Sequence, residues 1–183
     1  SDVIDIVGLG PGDLERVTGR TRDLLFDPDR TVVVRTMRHP AAESLADARR
    51  VQACDDLYVA NQAFGEVYHA IARRVVNVAA DSPVVYAVPG SPRVGEFAVE
   101  MIETLAAEAG VEVRVHPAES FVEAVLHSVG VDPLRDGFKL LNGHDLPDPL
   151  VFDVPTVIGH VDLPELLADL SARLDRLLPE EAS

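Results

Sequence analysis

Val84-Val85-Tyr86-Ala87-Val88 is an unbroken apolar run, rich in β-branched residues and stopped at once by Pro89-Gly90-Ser91-Pro92. A strand with one wet face alternates apolar and polar residues, because successive side chains point to opposite faces. A strand without alternation must be covered on both sides, which is the setting of a parallel sheet between layers of helices. Parallel strands need crossover connections, so this one segment commits the chain to alternating strands and helices.

The rest of the chain supplies that alternation. Residues 3–7 and 31–34 are further short apolar strands, with a minor one over 51–53. Apolar residues at Leu14, Val17, Leu24 and Leu25 predict a helix over 14–26, and Pro40 opens another reaching residue 50. Helical spacing recurs over 63–80 and 94–109, the latter closed by Gly110, before a strand over 111–115. Beyond Pro117 the texture shifts. Ser120 caps a helix to about 129, a polar loop follows Val131-Asp132-Pro133, short strands fall at 138–141 and 156–161, and a leucine-rich helix covers 163–178. The expected division is into residues 1–117 and 118–183.

Composition narrows the function. Sixteen Lys and Arg against 31 Asp and Glu leave a formal charge of −15, which opposes nucleic-acid and anionic-membrane partners. No stretch approaches the roughly 20 apolar residues of a membrane span, and Ser1-Asp2-Val3-Ile4-Asp5 lacks a signal-peptide pattern, so the expected location is the cytoplasm. Cys54 is the single cysteine and the six histidines show no metal-ligand spacing, so no metal site is expected. The acidic neighbours Asp55 and Asp56 also argue for an unreactive Cys54.

Two loops stand out. Gly8-Leu9-Gly10-Pro11-Gly12-Asp13 joins the first strand to the first helix, and Pro89-Gly90-Ser91-Pro92 follows the most apolar strand. Glycines there let backbone approach a ligand, and open α/β sheets bind ligands at the carboxyl ends of their strands. The spacing is neither that of a dinucleotide fingerprint nor that of a phosphate-binding loop, and neither loop holds a cluster of cations or metal ligands. A ligand held by backbone and apolar contacts is the expectation. Glu96, Glu100 and Glu103 fall on one predicted helical face and read as a solvated acidic surface.

The segments VGLGPGDLERVT (7–18), VVYAVPGSPRVGE (84–96), VEVRVHPAESFVEAV (111–125) and PTVIGHV (155–161) together resemble the tetrapyrrole (corrin/porphyrin) methylases. RTMRHPAAESL (35–45), DDLY (55–58) and FVEAVLHSVGVDP (121–133) look like the subgroup that precedes MazG-type nucleotide pyrophosphohydrolases. The resemblance implies a tetrapyrrole methylase-like fold of two α/β domains with a cofactor cleft between them, S-adenosylmethionine as cofactor, a small-molecule methyl acceptor such as a tetrapyrrole, and a homodimer. It places Pro11, Gly90, Ser91, Pro92, Gly95, Ser120, Phe121 and His160 at the cofactor.

The chain also departs from the family's pattern. Val34-Arg35 stands where porphyrin methylases carry Tyr-Asp, Ser91 where active methylases often carry Asp, and Pro117-Ala118 where Pro-Gly is usual. The second domain, read as ending at Ser183, is expected to be shortened relative to the family. The leading expectation is a methyltransferase-type domain, with a MazG domain as its partner. The alternative is a non-catalytic regulatory or dimerisation module with a vestigial cleft.

Overall fold

Every residue of β1 (Val3–Gly8) and β4 (Val84–Val88) is buried, and the two strands run parallel, from Ile4 beside Val84 to Gly8 beside Val88. β2 (Thr31–Val34) lies along the other side of β4, β3 (Gln52–Ala53) along β2, and β5 (Glu112–Val115) along β1. The result is an all-parallel five-stranded sheet of order β3-β2-β4-β1-β5. This computed structural model describes residues 3–60 and 63–177. The chain divides into two compact units, residues 1–124 and 125–183.

Alternate residues of the strands feed two separate cores. Val7, Val32, Val34, Val85 and Ala87 pack on one face against α1 (Gly19–Phe26) and α2 (Pro40–Ala48), through Leu24, Leu25, Ala41 and Leu45. Ile4, Ile6, Val33, Val84, Tyr86 and Val88 pack on the other against α4 (Phe64–Ala79) and α5 (Ala98–Ala109), through Val67, Ile71, Val75, Val99 and Ile102. That double cover is what the unalternating strand sequence requires. Buried among them, Asp5 is held by Arg30 Nη1 at 2.5 Å and His116 Nε2 at 2.6 Å.

Several local expectations need correction. The stretch 14–26 is not one helix: Asp13 caps a short 3-10 turn, Leu14–Arg16, and Thr18 starts afresh by accepting the Thr21 amide at 3.2 Å. The helix expected from 94 starts at Ala98, because Gly95 sits at a φ of 70°, outside helical space, and the Val94 amide turns back onto the Ser91 carbonyl. A short helix, α3 (Asp55–Ala60), occupies a stretch to which no element was assigned from the sequence.

Unit 2 is lighter. The division falls inside α6 (Phe121–Val129), which is followed by α7 (Pro133–Asp136) in the expected polar loop; there Asp132 caps the Leu134 and Arg135 amides. β6 (Lys139–Asn142) and β7 (Thr156–Gly159) form a parallel pair, and α8 (Pro164–Leu177) buries Leu170 while Leu167 stays exposed. Among the described residues, no helix is long and apolar enough to cross a membrane.

Candidate functional site

From β1 the chain passes over β4 to reach β2, whereas from β4 it passes over β1 to reach β5. Two neighbouring strands thus send their connections in opposite directions, and the crevice at their carboxyl ends is where open α/β sheets take ligands. The two glycine loops are those connections. Gly10 N donates to Gly90 O at 3.1 Å, Gly90 N donates to Gly10 O at 3.0 Å, and Leu9 N donates to Val88 O at 2.8 Å. Gly10 and Gly90 adopt φ values of 68° and 62°, left-handed conformations that disfavour a side chain.

His39 locks this arrangement from the side. Its Nδ1 accepts the Ala41 amide at 3.2 Å as the cap of α2, and its Nε2 lies 2.8 Å from the Gly10 carbonyl. Both contacts hold together when Nε2 carries the proton and donates. What the loops leave open is a set of polar groups. The carbonyls of Pro11 and Pro89 and the hydroxyl of Ser91 make no hydrogen bond among the described residues.

Most of the expected site residues converge here. Pro11 follows Gly10 and is half-buried; Ser91 and Pro92 are buried, and Gly95 is exposed. A Cβ on Gly90 would lie 3.8 Å from Ser120 Cα and 4.0 Å from Phe121 N. Ser120 is buried as the cap of α6: its hydroxyl donates to Glu123 Oε2 at 2.6 Å and accepts the Val122 amide at 3.1 Å, so the side chain is already engaged. His160 belongs to unit 2, where it follows β7, is exposed and holds a φ of 57°.

A second group of residues lies outside the expected cofactor-binding set. Arg35, at the end of β2, puts Nε 3.0 Å from Glu96 Oε1, and its Nη1 donates to the Tyr58 hydroxyl at 3.1 Å. The approach to Glu96 lies off the N–H axis, so charge more than a directed hydrogen bond holds the pair. The Glu96 side chain is 7% exposed, which overturns its reading as part of a solvated acidic face. Gly95 is the cause: the left-handed turn places Glu96 before α5 rather than on its outer surface. Burial pushes the Glu96 carboxyl up to about 7 although Arg35 pulls it down.

Nearby, the Tyr86 hydroxyl is fully buried with no hydrogen-bond partner among the described residues, and burial first, then the Glu96 charge, raise its pKa far above the ordinary phenol value. Arg35 and Tyr58 line a cavity of about 600 Å³ with Thr36, Arg38 and Asp55. Glu96 lines another of about 280 Å³ with Pro92, Gly95 and Phe97. The acids of the larger cavity are already paired: Asp55 accepts from Thr36 Oγ1 and Met37 N, and Asp56 takes Arg74 in a fork. The sequence signal for Glu96 was its place directly after Gly95, in the second loop.

Known proteins share this fold. Residues 3–175 match the family of tetrapyrrole (corrin/porphyrin) methylases. The chain is 35% identical over 144 residues to the Bacillus subtilis (strain 168) protein described as uncharacterized protein YabN, covering 78% of this chain and 29% of that longer relative. The crystal structure of a diphthine synthase superposes with a TM-score of 0.64 at 19% identity, over 95% of this chain and 72% of that one. Uroporphyrin-III-C-methyltransferase from Thermus thermophilus gives a TM-score of 0.60 at 21% identity, over 82% and 63%. These two share the α/β fold with its parallel sheet; the sequence match extends through the glycine loops and nearly the whole chain. By fold and by sequence, the chain belongs to the tetrapyrrole (corrin/porphyrin) methylase family.

Proposed function

We propose that the chain is an S-adenosylmethionine-binding methyltransferase-type domain, with the methyl donor held on the two glycine loops of unit 1. The observation that carries this reading is the Gly10–Gly90 clamp at the switch point, with open polar groups around it. The polar groups present fit such a cofactor: the Pro11 and Pro89 carbonyls would accept hydrogen bonds from it, the Ser91 hydroxyl would donate or accept one, and buried Glu96 would offer negative charge to a cationic sulfonium. When bound, the cofactor supplies an electrophilic methyl group. Pro89 and Pro92 stiffen the loop beneath it, which lowers the ordering cost of binding.

The acceptor we propose is a small molecule, with acidic tetrapyrroles the first to be tried. The same reading includes a cytoplasmic homodimer and a MazG-type pyrophosphohydrolase domain in the same polypeptide. Its support is the subgroup resemblance of residues 35–45 and 121–133, and a Bacillus relative of which the chain covers only 29%.

Calorimetric titration with S-adenosylmethionine and S-adenosylhomocysteine tests the cofactor. Micromolar binding at one site per chain is the expected result. No heat and no thermal shift at millimolar ligand would overturn it. That outcome favours the second reading, a non-catalytic dimerisation module, for which one observation speaks: Gly10 and Gly90 spend their amides on each other. Such a module sediments as a dimer regardless of ligand.

A further inference from the structure

We propose that Glu96 takes the acceptor's proton during methyl transfer, and that the acceptor is therefore a nucleophile carrying a proton to lose, an N–H, an O–H or an acidified C–H. This rests on the methyltransferase reading above and deepens it.

The geometry argues for Glu96 in three ways. It directly follows Gly95 at the exit of the second glycine loop, and it shares its cavity with Pro92 and Gly95. Its carboxylate is almost wholly buried, and its one described partner, Arg35, approaches off-axis, so oxygen lone pairs remain for a proton. Its neighbours cannot do the same work. Arg35 stays protonated: burial opposes its charge, but Glu96 and Tyr58 outweigh burial. The Tyr86 phenol and the Cys54 thiol are held protonated, chiefly by burial, the thiol with a pKa of about 11.

Glu96 removes the proton as the acceptor's electron pair closes on the methyl carbon and the carbon–sulfur pair stays with sulfur. A neutral thioether, a methylated acceptor and a protonated Glu96 result. Arg35 then plays a positioning part, keeping enough negative charge on a buried carboxyl for it to act near neutrality.

Sinefungin tests this without knowledge of the acceptor, because it carries an amine where the donor carries its methyl group. A carboxylate that serves the transfer position pairs with that ammonium. Sinefungin is expected to bind about tenfold or more tightly than S-adenosylhomocysteine above neutrality. The ratio of the two affinities should collapse in Glu96→Gln and return in part in Glu96→Asp. In the unsubstituted protein the preference should fade as pH drops below about 7, which reads the same carboxyl without any mutation. The charged and titratable groups around it are Arg35, Tyr58, Tyr86 and, in its cavity, Arg93 and Glu100. Equal affinities, or a preference that survives Glu96→Gln, overturn the role of Glu96 and leave the cofactor site standing. If neither ligand binds, both readings fall.

Discussion

A Cβ on Gly8 would lie 2.2 Å from the carbonyl oxygen of Gly90 and 2.5 Å from the Cβ of Ala118. Strands β1 and β4 thus meet the approach to α6 at a point where only hydrogen fits. The clamp between the loops depends on that closeness, since Gly10 and Gly90 pair just beyond it.

Gly8→Ala is therefore expected to cost at least about 3 kcal/mol, because the clash is with backbone and a packed methyl rather than a mobile side chain. Gly19→Ala is the control. It opens α1 with no heavy atom within 4 Å of the new methyl, and its effect should stay within about 1 kcal/mol, in the stabilising direction. Urea unfolding of the two variants measures the contrast.

The carboxyl of Glu96 gives a signed pH dependence. Its folded pKa, about 7, lies above its ordinary 4.5, so folding takes up a proton between those values. The stabilisation is fully present below about 4.5 and is lost as pH rises through about 7. The difference in unfolding free energy between wild type and Glu96→Gln should fall across that window by an amount on the order of 3 kcal/mol. A pH series of denaturant titrations in which the difference stays flat would contradict the buried state of Glu96.

Asp5 is fully buried in the middle of β1, with Arg30 on one oxygen and His116 on the other. Removing the Asp5 carboxylate takes the acceptor from His116 and leaves the partly buried Arg30 with Asp27 alone among the described residues. Asp5→Ala should cost about 3–5 kcal/mol, and Asp5→Asn, which keeps the shape but not the charge, should fall between it and wild type in chemical denaturation.

Burial also decides the chemistry of Cys54. Its thiol is raised to about 11 by burial, against the opposing pull of Arg74. Iodoacetamide and disulfide reagents should leave the native protein unlabelled at neutral pH and modify Cys54 once guanidinium unfolds the chain; mass spectrometry reads both states.

The strands and the loops were legible because their signals are local. Val84–Val88 carries its two-sided burial in its own composition, and Gly90 announces a turn that few other residues permit. Helix starts were less legible. Thr18 divides the predicted 14–26 segment by capping Thr21, and Gly95 delays α5 to Ala98; in each case one backbone dihedral outweighs apolar spacing that continues across it. The Arg35–Glu96 pair was invisible for another reason. Nothing near Arg35 in sequence refers to Glu96, and only the placing of β2 beside β4 brings the two together.

The order of the strands has a temporal meaning as well. β1 leaves the ribosome before the other strands of its sheet, yet its hydrogen-bonding neighbours are β4 and β5, so it has no partner until Val84–Val88 has been made. Contacts so distant along the chain form late, after the entropic cost of closing a long loop has been met. The Gly10 loop must wait, unpaired, for Gly90 to be synthesised, so a nascent chain has no partial version of this site: it is assembled in the same event that closes the sheet.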